Sequence, residues 1–141
     1  MNNFKSFFEQ AVNIANDICK IYPNNKITTQ LIDEYSNTKS TYSLGDLPQN
    51  IQLLLNSYTS ELKISLTNLV KNIAKHPEID INTIENTLEL IKKAKNVKLT
   101  NDKVIIELFE NNNYYQIVIK TTKNKTENFL LSVHKSNHKK R

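Results

Sequence analysis

Apolar residues recur every three or four positions at the start of the chain, at Phe4, Phe7, Phe8, Ala11, Ile14, Ala15, Ile18 and Tyr22. That spacing predicts an amphipathic helix over residues 3–22, stopped before Pro23. A shorter helix is predicted over 28–36 from Leu31, Ile32 and Tyr35 behind a threonine cap. The stretch "SNTKSTYS" (36–43) has no period and several turn formers, so it reads as a linker. A helix to about residue 57 follows, with Asp46 as its cap and Pro48 near its first turn. Leu66, Leu69, Val70 and Ile73 mark one further helical stripe, and Ile84, Leu88 and Ile91 mark another.

At Val97 the period changes to two. The runs "DKVIIELFE", "YYQIVIKTT" and "NFLLSVHKS", separated by "NNN" and "KNKTEN", read as an antiparallel meander, to which "NVKLT" adds a short strand. Helices first and strands after indicate an α+β fold, with N-terminal helices followed by a three- to four-stranded antiparallel sheet. The expected division is a helical extension over 1–43 and a domain over 44–141.

Alternation assigns the strands two faces. In the last strand Ser132 and His134 share one side, with Phe129, Leu131 and Val133 expected on the core side. In the strand before it, Gln116, Lys120 and Thr122 share a parity opposite to Ile117 and Ile119. If even positions pair with even positions, all five polar residues lie on one open face. A lysine, a serine and a histidine together can bind a phosphodiester and move protons, although a polar outer face is also what any half-buried sheet displays. No carboxylate is expected on that face. His76, before Pro77, ends a helix; the carbonyl end favours a cation, so the imidazole is either a proton donor or a simple cap.

Charge sharpens this picture. The net charge is +5, yet residues 111–141 hold seven basic residues against one acid, so the first 110 are slightly acidic. A positive field confined to one end suggests a polyanionic partner, nucleic acid being the commonest. Cys19 is the only cysteine, which excludes an internal disulfide and a cysteine-rich zinc site; its phase suggests a small buried hydrophobe. There is no Gly-rich phosphate loop, no HExxH motif and no internal repeat. No apolar run approaches the roughly 18 residues of a membrane span, and the N-terminal pattern is not that of a signal peptide. The expectation is a soluble chain without an export signal.

The segments "LGDLPQNIQLLL", "ISLTNLVKNIAKHPEI" and "YYQIVIKTTKNKTENFLLSVHKS", in that order over residues 44–137, resemble the phage-associated nucleases of the barnase, EndoU, colicin D and RelE-like (BECR) fold. The resemblance implies a metal-independent endoribonuclease toxin that needs no cofactor. It would make the 2′-hydroxyl attack its own phosphate, using a base, an acid and a cation. Carried over, the histidine before proline is His76, the basic residue ending a strand is Lys120, and the last-strand hydroxyl is Ser132. His76 and His134 would form the acid–base pair, Lys120 would hold phosphate charge, and Ser132 or Thr122 would position it. Gln116, Lys123, Lys125, Lys135, Lys139 and Lys140 would contact RNA, and Tyr114 or Tyr115 would stack on a base. The implied partners are RNA, with tRNA among the candidates, and an acidic immunity or antitoxin protein; membrane is not among them. The implied setting is the cytoplasm of the producing or target cell, with delivery inside a larger toxin or phage protein as one route. Two other readings stay open: a non-catalytic RNA-binding module, and an immunity or interaction protein.

Overall fold

A computed structural model describes residues 3–21, 30–32, 40–75 and 79–136. Its order is α1 (Asn3–Ile21), β1 (Thr41–Asp46), α2 (Gln49–Leu55), β2 (Glu61–Ser65), α3 (Leu66–Lys75), α4 (Ile81–Glu85), α5 (Thr87–Lys93), β3 (Asn96–Thr100), β4 (Lys103–Glu110), β5 (Asn113–Thr121) and β6 (Asn128–Ser136). The fold is α+β, but the sheet has six strands in the order β1-β2-β6-β5-β4-β3, not the three or four expected. It is mixed: β2 and β6 run parallel and every other pair is antiparallel.

The two additional strands come from segments that are short and weakly apolar. In β2, "ELKIS", Leu62 and Ile64 are buried while Glu61, Lys63 and Ser65 are not, a period of two that five residues barely display. β1 occupies residues 41–46, so residues 41–43 of the expected linker, and with them the position proposed as a boundary, lie in a strand, while residues 36–39 lie outside the described residues. Asp46 ends that strand and accepts a hydrogen bond from the Ser60 hydroxyl at 2.9 Å instead of capping α2. The chain's single glycine, Gly45, sits at an irregularity in the β1–β2 pairing with φ of 125°. A Cβ there would meet Leu88 Cδ1 at 2.7 Å, so both the backbone angle and the close packing require glycine.

One core unites the elements. Leu62, Ile64, Val104, Ile106, Ile117, Ile119, Leu130 and Val133 from the sheet are buried with Phe4, Ile18, Ile51, Leu66, Leu69, Val70, Ile84 and Ile91 from the helices. Residues 3–21 are joined to it through Phe4 and Phe7, whose rings lie 5.1 and 5.6 Å from that of Tyr42. Of the expected 28–36 helix, residues 30–32 are described and helical, and Ile32 is fully buried. Cys19, next to buried Ile18, is exposed rather than buried, because one step around the helix turns it away from the core. The predicted helix carrying Ile84, Leu88 and Ile91 is broken at Asn86 into α4 and α5, with Asp80 capping α4 through the Thr83 amide at 2.7 Å.

The hairpins fix the register of the meander. Asn111 and Asn112 have φ of 53° and 67°, the pair of left-handed residues that a two-residue turn between twisted strands requires. Glu110 thus pairs with Asn113 and Glu107 with Gln116. Between β5 and β6 the register shifts: Val118 faces Ser132 but Ile119 faces Leu130, leaving Leu131 as the extra residue of a bulge. α3 follows directly from β2 along the edge of β6, where Asn72 Nδ2 donates to the Leu131 carbonyl at 2.9 Å and to the Asn68 carbonyl at 2.7 Å. The bulge carbonyl is therefore satisfied without a strand partner.

Candidate functional site

With one face of the sheet committed to the core, the alternate residues form a second face that no helix among the described residues covers. Register arranges it in rows. One row reads Asn96, Glu107, Gln116, His134 across β3, β4, β5 and β6. The next reads Lys98, Ile105, Val118, Ser132, and the one after it Thr100, Lys103, Lys120, Phe129, Lys63. Beyond the first row lie Phe109, Tyr114 and Ser136.

Gln116, Lys120, Ser132 and His134 accordingly share the open face. They are not all together, however. Lys120 lies two rows from His134, about 13 Å along the strand at roughly 3.4 Å per residue. Its ammonium is 3.4 Å from the Asp102 carboxylate in the β3–β4 turn. Thr122 does not join the face. The strand ends at Thr121, and the Thr122 hydroxyl donates to Asn124 Oδ1 at 2.9 Å while accepting from the Thr126 and Glu127 amides at 3.2 and 3.1 Å. It shapes the β5–β6 turn.

The bulge also corrects the expected core side of β6. Leu130 and Val133 are buried, whereas Phe129 and Leu131 are half-buried on or beside the open face. An extra residue reverses the parity on one side of it, so alternation that holds for Ser132 and His134 fails at Phe129.

The basic and aromatic candidates divide between surfaces. Lys123 is exposed in the β5–β6 turn. Lys125, at φ 66°, fixes the same turn: its carbonyl accepts from the Tyr58 amide at 2.9 Å. Lys135 pairs with Tyr115, which belongs to the core, and its positive charge acts on Asp80 on the helix side; neither Tyr115 nor Lys135 is on the open face. Tyr114 is on that face but largely covered, its ring 5.3 Å from that of half-exposed Phe109. Its hydroxyl donates to Glu107 Oε2 at 2.6 Å. Burial, then the hydrogen bond and charge of Glu107, push the Tyr114 phenol up to about 12. The Tyr114 hydroxyl thus fixes the Glu107 carboxylate, while its ring is largely covered beside Phe109. His76, Lys139 and Lys140 lie outside the described residues.

Glu107 is the residue that sequence reasoning missed: the face does carry a carboxylate. The Asn–Asn turn contained the signal, because a two-residue loop after Glu110 sets Glu107 opposite Gln116. Glu107 and His134 flank Gln116 with their Cα atoms about 10 Å apart, two strand spacings of roughly 4.8 Å. A carboxylate and an imidazole reaching up from those positions can address opposite sides of one group held over the Gln116 amide. Among the described residues, no three His, Cys, Asp or Glu side chains converge as a metal site would require. No helix among them is long and apolar enough to cross a membrane. Comparison with family models, curated proteins and solved structures found no match to this chain.

Proposed function

We propose that this chain is an endoribonuclease that binds single-stranded RNA across the open sheet face and cleaves it by 2′-hydroxyl transesterification, with the toxin role implied by the resemblance. The observation that carries the reading is the single row Glu107, Gln116, His134. A proton acceptor and a proton donor stand on either side of an amide able to hold a phosphate oxygen. In the reaction Glu107 takes the 2′-hydroxyl proton, O2′ bonds to phosphorus, the bond from phosphorus to O5′ breaks, and protonated His134 donates to the departing oxygen. The Gln116 amide donates to a non-bridging oxygen, and the Ser132 hydroxyl lies one row away. His76, the residue implied by the resemblance, is the rival to Glu107 for the base.

The test is cleavage of total RNA in EDTA by wild type, Glu107→Gln, His76→Ala and His134→Ala, with thermal melting on the same samples. His134→Ala and one of the two base variants are expected to lose about a hundredfold to ten-thousandfold in rate while melting as wild type does. Intact RNA with wild type, or equal rates in all variants, would refute the assignment. A non-catalytic RNA-binding module is the second reading. The separation of Lys120 from His134 favours it, because that lysine is then two rows from a phosphate at Gln116. Binding without cleavage is its signature.

A further inference from the structure

The bulge in β6 has a consequence beyond the catalytic row. A cleft of about 420 Å³ opens on the same face where β5, β6 and the start of α3 meet, lined by Ser65, Asn68, Lys120, Lys123, Phe129 and Leu131 among others. Two of its apolar wall residues, Phe129 and Leu131, are those that strict alternation would have sent into the core; the extra residue instead leaves Leu130 buried and these two half-buried. Leu131 is held there through its carbonyl by Asn72. Phe129 sits in its row between Lys120 on β5 and Lys63 on β2, with Lys63 bound to Glu127 at 3.0 Å. Lys120 and Lys123 both line the cleft, with the Lys120 ammonium 3.4 Å from the exposed Asp102 carboxylate that a phosphate would have to displace. An aromatic side chain beside lysines in one cleft is the combination that holds a nucleotide: the ring takes the base and the cations take its phosphate.

We infer that the Phe129 cleft is a nucleotide-binding subsite, taking the base of a single-stranded RNA nucleotide against Phe129 and its phosphate at Lys120 and Lys123. The inference rests on the proposed RNA-cleaving role of the same face and specifies where substrate is held outside the reacting row. The two rows between His134 and Lys120 span about 13 Å. Lys120 therefore serves a neighbouring phosphate of the strand and not the one being cut. That accounts for a lysine on the face of the catalytic row yet beyond its reach. Polar groups at the rim, the Asn68 amide and the Ser65 hydroxyl, are available to read base edges, although Ser65 already accepts from the Asn68 backbone amide at 3.0 Å.

The experiment is calorimetric titration of the full chain with adenosine 5′-monophosphate, with inorganic phosphate as the control for charge alone. Wild type is compared with Phe129→Leu, Lys123→Ala and, on the helix side, Lys92→Ala. Phe129→Leu keeps the apolar bulk and removes only the π face, so folding is preserved. Loss of a base stack is expected to weaken binding of the nucleotide about tenfold, with inorganic phosphate unaffected. Lys123→Ala should weaken both probes and Lys92→Ala neither. Equal nucleotide affinity in wild type and Phe129→Leu, or no binding by wild type at millimolar nucleotide, would overturn the subsite. RNA left uncut by a protein that binds the nucleotide through Phe129 would end the nuclease reading and leave the subsite standing.

Discussion

Asn128 offers a test of the packing beneath the site, because its two amide ends have opposite fates. The side chain is 1% exposed at the start of β6. Its Nδ2 donates to the Thr59 carbonyl at 2.8 Å and to the Glu61 carbonyl at 3.0 Å, tying the loop before β2 to the strand beside it. Its Oδ1 is buried without a hydrogen-bond partner. Asn128→Ala removes two hydrogen bonds of about 1 kcal/mol each, and also removes the orphaned acceptor, which returns about 1 kcal/mol or more. The net cost should be small, about 1 kcal/mol or less. Asn128→Asp keeps the shape but turns the donor toward two carbonyls into a second acceptor. Ionised, it is a buried unpaired charge and should cost about 3–5 kcal/mol at neutral pH. Burial raises the aspartate's folded pKa above its unfolded value of about 3.9. The folded state then binds more protons, so the variant's deficit is smallest below pH 4 and grows by about 1.4 kcal/mol per unit as pH rises toward the folded pKa. Urea unfolding of wild type and both variants at pH 7 and pH 5 measures it, each variant referred to wild type at the same pH. An aspartate no worse than alanine at pH 7, or a deficit that does not shrink on acidification, would refute the assigned orientation of the amide.

Three further outcomes follow from the same geometry. Gly45→Ala should destabilise the fold by about 1–3 kcal/mol in denaturant titration, since φ of 125° and the approach of Leu88 both oppose a Cβ. Asp80→Ala should cost about 1 kcal/mol through loss of the α4 cap. The hydrogen bond from the Thr83 amide holds the Asp80 carboxyl below its usual range, so this contribution is present above about pH 4 and disappears as pH falls through the lowered pKa; equal acid sensitivity of the variant would contradict it. Ultraviolet titration should show one tyrosine ionising near 12 that is absent from Tyr114→Phe. Because the folded state keeps that proton longer, the associated stability is complete below about pH 10 and is lost above it.

Long elements with strong periodicity were legible in the chain itself. The first helix, the stripe of Leu66, Leu69 and Val70, and the four strands from Asn96 to Ser136 all carry enough residues for a period of 3.6 or 2 to stand out. The shared face of Gln116, Ser132 and His134 followed from alternation together with the even-to-even pairing that β5 and β6 adopt. Two strands were not legible: β1 and β2 have only six and five residues, and β2, which carries β1, joins the sheet through β6, far along the chain. The parallel contact between β2 and β6 exists because three helices and three strands intervene and return the chain to the first edge, which no local pattern encodes. At the bulge the Leu131 carbonyl meets Asn72, 59 residues away, and the extra residue turns Phe129 outward. Glu107 stood at a readable parity and the Asn111–Asn112 turn set it opposite Gln116, but whether that pair met His134 was a matter of the β5–β6 register. In the sheet register is a tertiary property, since a slip of one residue exchanges the two faces, and only the folded arrangement brought a carboxylate, an amide and an imidazole into one row.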